Sequence, residues 1–153
     1  MTTDHTRVRS RLLGRTKLWH LPLRVAAGAF ILNAGIGKRN ATEEAAERLK
    51  SLALSAFPLF EPMPAVAFAR RLSAGEIALG AALLNPAVPP AAAGAALSAF
   101  SGGLLQMYLK APGFHEEGSI RPTQQGTAIA KDVWLLAIGV ALIIDGLDPR
   151  RHR

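Results

Sequence analysis

The sequence predicts an all-α protein: a four-transmembrane-helix bundle running up-down-up-down, with a short interfacial amphipathic helix between its first and second spans. Three observations carry that expectation. Half of the 153 residues are hydrophobic and only 19% are charged. The charges crowd into residues 4–24, 38–71, 110–132 and 145–153, which leaves four stretches nearly free of them. Each stretch holds about 17 to 20 residues, the length a helix rising about 1.5 Å per residue needs to cross a hydrocarbon core.

A chain of this length is read as one domain. Residues 1–17 form a basic tail with Arg7, Arg9, Arg11, Arg15 and Lys17, residues 18–147 the membrane portion, and residues 148–153 a basic end, "DPRRHR". The first span, 19–37, opens on Trp19 and His20, where an amphipathic ring suits the headgroup layer, and closes on Lys38 and Arg39. A signal peptide shares this order of basic and apolar segments, but three further apolar spans favour a retained helix. Asn40 stands three residues before Glu43 as in a capping box, and Leu49, Leu52, Ala53 and Ala56 then share one face. That segment is read as a helix on the membrane surface or packed on the bundle, and Pro58, Pro62 and Pro64 end it.

The second span, 65–88, contains "RRLSAGEIALGAALLNP" and ends at "NPAVPP", a short uncharged connection that predicts a tight antiparallel hairpin with the third span, 91–109. In that third span Ala95, Ala99 and Gly103, flanked by Gly94, Ser98 and Gly102, recur at four-residue spacing, a seam along which backbones approach closely. Residues 110–127 form a polar loop including Ser119, Arg121 and Thr123, and the fourth span covers 128–147.

The net charge of +7 comes without a basic stripe interleaved with aromatics, so anionic lipid headgroups and not nucleic acid are the expected counterparts. Lysines and arginines divide evenly between the two faces of a four-span chain. The dense basic leader of the first helix then places both termini in the cytoplasm of a multi-pass plasma-membrane protein. The absence of cysteine excludes disulfides, thiolate metal sites and thiol redox chemistry within the chain, and no metal site is expected.

Alternating helix direction collects the polar side chains into two layers. Asn33, Lys38, Glu76, Gln106, Lys131 and Asp132 fall near one surface, and Arg24, Asn85 and Asp145 near the other. An acid within an apolar run must face inward, pair or lose its charge. Lys38 is the expected partner of Glu76, with Lys131 a weaker one, and Arg24 is expected to meet Asp145 or snorkel outward. Glu76 is either a structural ion pair that fixes register or a carboxylate that gates a proton or holds a polar ligand. The chain shows no nucleophile with a base, phosphate loop or nucleotide fingerprint, and its four histidines lie outside the apolar runs.

"LRVAAGAFILNAGIGK", "AGEIALGAALL" and "KDVWLLAIGVALII" together resemble the DoxX-like small membrane proteins, actinobacterial members in particular, across residues 19–147. The resemblance implies a four-helix membrane bundle that serves as a non-catalytic subunit or scaffold of a membrane-associated redox complex. It implies a soluble redox-enzyme partner, with a homo-oligomer the other expectation; the lack of cysteine and of any histidine in an apolar run predicts no resident cofactor, leaving quinone as the one candidate. The alternative is a quinone-reactive oxidoreductase subunit in which Glu76 and Lys38 are the catalytic candidates, handling the proton that accompanies quinone reduction. A small-solute transporter is the third reading, disfavoured by the absence of an inverted repeat.

Overall fold

A computed structural model describes residues 17–148, and these are helical throughout, apart from connections and one isolated bridge between His115 and Pro122. The helices are α1 (His20–Lys38), α2 (Glu43–Leu54), α3 (Ala65–Leu84), α4 (Pro90–Lys110), a single turn α5 (Thr127–Ala130) and α6 (Val133–Leu147), with a 3₁₀ turn at Pro58–Phe60. Apart from Lys17 and Asp148, the basic tails expected at 1–17 and 148–153 lie outside the described residues.

The four-span expectation is overturned. Among the described residues one helical stretch, Thr127–Leu147, is long and apolar enough to cross a membrane. The physical reason lies in composition. α1 carries Arg24, Asn33 and Lys38, α3 carries Arg70, Arg71 and Glu76, and α4 is built largely of Ala, Gly and Ser, whose small side chains bring little hydrophobic free energy. The Leu-, Ile- and Val-rich Thr127–Leu147 alone keeps a high apolar density. Within α6 only Gly139 and Leu142 are buried, and Trp134, Ile144 and Leu147 stand well exposed. A multi-pass topology is accordingly not supported.

The helices associate as two antiparallel pairs, α1 with α3 and α4 with α6, so the expected tight hairpin between α3 and α4 does not form. Glycine decides the pairing. A Cβ on Gly80 would fall 2.7 Å from the Leu32 amide nitrogen and 2.8 Å from the Gly28 carbonyl, so α1 and α3 cross here at backbone contact. In the second pair a Cβ on Gly94 would lie 2.5 Å from the Gly139 carbonyl, and one on Gly146 at the same distance from the Ala91 amide nitrogen. Side chains at i and i+4 on one helix face would otherwise hold the axes about 8–10 Å apart.

The two pairs meet on one apolar core made of Ala27, Ile31, Leu79, Leu83, Ala93, Leu97 and Leu142. α2 packs on α3 through Ala46 against Ala65 and Ala69. Its N-cap is Thr42, whose Oγ1 accepts from the Ala45 amide at 3.3 Å, so the cap lies two residues beyond the expected Asn40. The 111–126 connection is ordered by its own polar groups. Thr123 Oγ1 donates to the Gly113 carbonyl at 2.7 Å, the Ser119 hydroxyl accepts from the Arg121 amide at 3.1 Å, and Tyr108 donates to the Ile120 carbonyl at 2.7 Å. Gly118, at φ 71°, makes the turn at its tip.

Candidate functional site: a cavity between two helix pairs

At one end of the molecule Arg24 is buried to 2% exposure. Its guanidinium donates to the carbonyls of Leu83 at 2.7 Å, Asn85 at 2.8 Å, and Ala82 and Val88 at 3.0 Å. These are carbonyls at the C-terminal end of α3 and in the turn that follows, groups that a helix terminus leaves without intrahelical partners. Burial lowers the guanidinium pKa from its ordinary value. A fork of fixed donors nonetheless suits charge retention among so many acceptors. The expected contact with Asp145 is absent: that carboxylate pairs with Lys17 and with His20, whose Nε2 lies 2.9 Å away. His20 is fully buried, which sequence reasoning missed when it set this histidine at a membrane mouth. Its four-residue offset from Arg24, which puts both on one helix face, was the available signal.

At the other end, Lys38 and Glu76 come together. Gly35 is the local cause, because a Cβ there would stand 2.9 Å from the Glu76 Cβ, so only glycine lets α3 approach this closely. The buried Ser73 hydroxyl donates to the Gly35 carbonyl at 2.7 Å and pins the crossing. One turn further along α1, Lys38 Nζ donates to both Glu76 carboxylate oxygens, at 3.0 and 2.9 Å, and to the Ala34 carbonyl at 3.3 Å. The Glu76 side chain is 6% exposed and the Lys38 side chain 25%, so the acid is buried and its partner is partly open.

What it opens onto is a cavity of about 660 Å³ between the two helix pairs. Its walls come from α1, α2, the 3₁₀ turn, α3, α4 and the start of the Thr127–Leu147 stretch. The polar lining is confined to Lys38, Arg71, Glu76 and Asp132. Everything else is apolar, an arrangement that matches small-molecule sites, which measure roughly 300–1,000 Å³ and place a few polar groups on hydrophobic walls. The small-residue stripe of α4 divides its work here. Gly94 and Ser98 face Gly139 in the helix pair, whereas Ala99 and Gly103 line the cavity.

The remaining residues of the two expected layers scatter. Asn33 and Lys131 are exposed, Gln106 is half-buried, and none of the three lines the cavity. Asn85 contributes its carbonyl to Arg24 while its side chain accepts from the Ala87 amide at 3.0 Å. Ser119, Arg121 and Thr123 build the connecting loop and do not reach the cavity. Among the described residues no group of His, Asp and Glu side chains is placed to hold a metal ion. Chemically, the site offers an ammonium donor, a guanidinium donor and two carboxylate acceptors beside a large apolar volume.

No protein-family model, no curated protein and no solved structure matches the chain. The likeness to the DoxX-like proteins thus stands on the quoted sequence segments alone.

Proposed function

We propose that this protein is a membrane-associated binding subunit, non-catalytic on its own, that holds one small apolar molecule between its helix pairs. The observation that carries the reading is the 660 Å³ apolar cavity with a half-buried ion pair on its wall. An apolar pocket of that size, open on one side, offers a ligand packing contacts along its lining, as small-molecule sites do. Membrane association is supported by Thr127–Leu147, long and apolar enough to cross a bilayer and mostly left outside the fold. The redox setting, and with it a soluble redox-enzyme partner, comes from the DoxX-like resemblance.

Native mass spectrometry of the protein released from mild detergent tests this reading. A non-covalent adduct of small-molecule mass is expected on the natural chain and should be lost in Gly103→Trp. That position suits the test because an added Cβ meets nothing nearer than the Phe57 ring, at 3.7 Å. Folded natural protein with neither an adduct nor any uptake of added apolar compounds rejects the proposal.

The quinone-reactive alternative uses the same cavity and is favoured by the placing of Lys38 and Glu76 on its wall. A quinone fits the lining: Lys38 Nζ supplies a donor for a carbonyl oxygen, and Glu76 an acceptor for a hydroxyl. Glu76→Gln should then abolish quinone-linked turnover of the assembly while folded protein stays in the membrane. Unchanged turnover rejects that alternative.

A further inference from the structure

Resting on the binding reading above, we infer that the cavity selects a neutral, flat, conjugated molecule bearing a carbonyl, in preference to a saturated chain or an anion. Phenylalanine distribution is the first observation. Of the six phenylalanines in the chain, five line this one cavity: Phe30, Phe57, Phe60, Phe68 and Phe100. They come from α1, the segment after α2, α3 and α4, so tertiary structure and not local sequence gathers them. Phe60 is ring-packed on both sides, 6.1 Å from Phe57 and 5.3 Å from Phe68, so these rings are held at fixed angles. Met63 and Met107 add polarizable sulfur to the same lining. Aromatic rings and thioethers favour the faces and edges of another π-system beyond what area burial alone gives. A saturated chain gains no such preference, and leucine would serve it equally well.

The charge of the lining is the second observation. The lining holds two basic residues, Lys38 and Arg71, and two acidic ones, Glu76 and Asp132, with Lys38 already paired to Glu76. A net-charged ligand would unbalance this lining beside apolar walls, which costs more than placing a neutral group there. A neutral group with lone pairs is not penalised in this way. Lys38 already spends its donors on Glu76 and Ala34, but its side chain is partly exposed and lines the cavity, so its ammonium can turn one donor toward a ligand without leaving the carboxylate. Arg71 bonds only to the Met63 sulfur, at 3.8 Å, among the described residues, so its guanidinium has donors to spare.

Three compounds of matched simplicity separate the features. 2-Acetylnaphthalene is flat, conjugated and neutral, 2-naphthoate is its anionic counterpart, and 2-dodecanone keeps the ketone on a saturated chain. Retention by the full chain in lipid nanodiscs is measured against empty nanodiscs and against Gly103→Trp. 2-Acetylnaphthalene should be retained about tenfold more strongly than either rival. Phe60→Leu should cut its retention by about two- to tenfold, the worth of a lost aromatic pair, and leave 2-dodecanone unchanged. Lys38→Met should weaken both ketones alike, by about tenfold as a charge-assisted hydrogen bond is lost. Equal or stronger retention of 2-dodecanone or 2-naphthoate overturns the class assignment and leaves the cavity as a binding site. Retention of all three at the level of empty nanodiscs removes the binding reading together with this inference. Because 2-acetylnaphthalene does not undergo quinone reduction, the result is independent of the redox alternative.

Discussion

The α1 and α3 pair engages two basic side chains of α1, the buried Arg24 and the partly exposed Lys38, and neutralises them in different ways. Arg24 is answered entirely by backbone, through four carbonyls at the end of α3 and in the next turn. Lys38 is answered by one side chain, Glu76, and its ion pair forms part of a cavity wall. The first arrangement is closed off from solvent and fixes a helix terminus. The second is a charged pair with an open side. Buried charge marks function only where its partners leave it accessible, and satisfaction by the main chain marks architecture.

Substitutions can break that contrast. Arg24→Met should have the largest effect, at least about 3 kcal/mol lost, since hydrogen bonds to a charged group contribute roughly 1.5–3 kcal/mol each and the Leu83 carbonyl is left buried without its donor. Thermal unfolding in mild detergent measures it, and a loss below 1 kcal/mol, on the order of one neutral hydrogen bond, would deny the clamp. Lys38→Met comes next at about 2 kcal/mol, below the roughly 3–5 kcal/mol of a fully buried broken pair because Lys38 keeps some solvent. Lys38→Met with Glu76→Leu should recover most of that loss. A double variant as unstable as the single one would mean that Lys38 works through packing and not charge.

Smaller effects sharpen the same comparison. Ser73→Ala, which removes the hydroxyl pinned to the Gly35 carbonyl, should lower stability by about 1 kcal/mol. It should also loosen the crossing that presents Glu76, visible as faster amide exchange around Gly35 and Ile36. Arg48→Ala gives the solvent-exposed reference: its i,i+4 pair with Glu44, at 3.2 Å, is largely open to water on both sides. A change under about 0.5 kcal/mol is expected there, as for other exposed helix pairs.

Much of the helical layout can be read along the chain. Proline and polar punctuation at Pro58–Pro64, Asn85–Pro89 and the 111–126 loop divides it into the helices that form. The Lys38 and Glu76 pairing follows from reversing helix direction, which sets the end of one long helix beside the middle turns of the other. Each difference has its own physical reason. Charge-free length predicts four membrane spans only while the apolar density of each run is left out. A short connection predicts the α3 and α4 hairpin, although a short loop constrains only the ends of two helices and not which faces pack. Matching depth predicts the Arg24 and Asp145 contact, but backbone carbonyls take the guanidinium instead.

Composition and spacing alone settle that the chain is helical, that it holds no cysteine chemistry, and that an acid inside the second long apolar run needs a cation. These are local or one-dimensional facts, fixed by propensity, punctuation and helix period. Tertiary structure alone decides that α1 joins α3 while α4 joins α6, because backbone contact depends on glycines meeting glycines across helices. It alone decides, too, that five phenylalanines from four segments face one space. No short-range pattern can encode that convergence: each ring is set by its own helix, and the volume between them exists only once the two pairs have been placed.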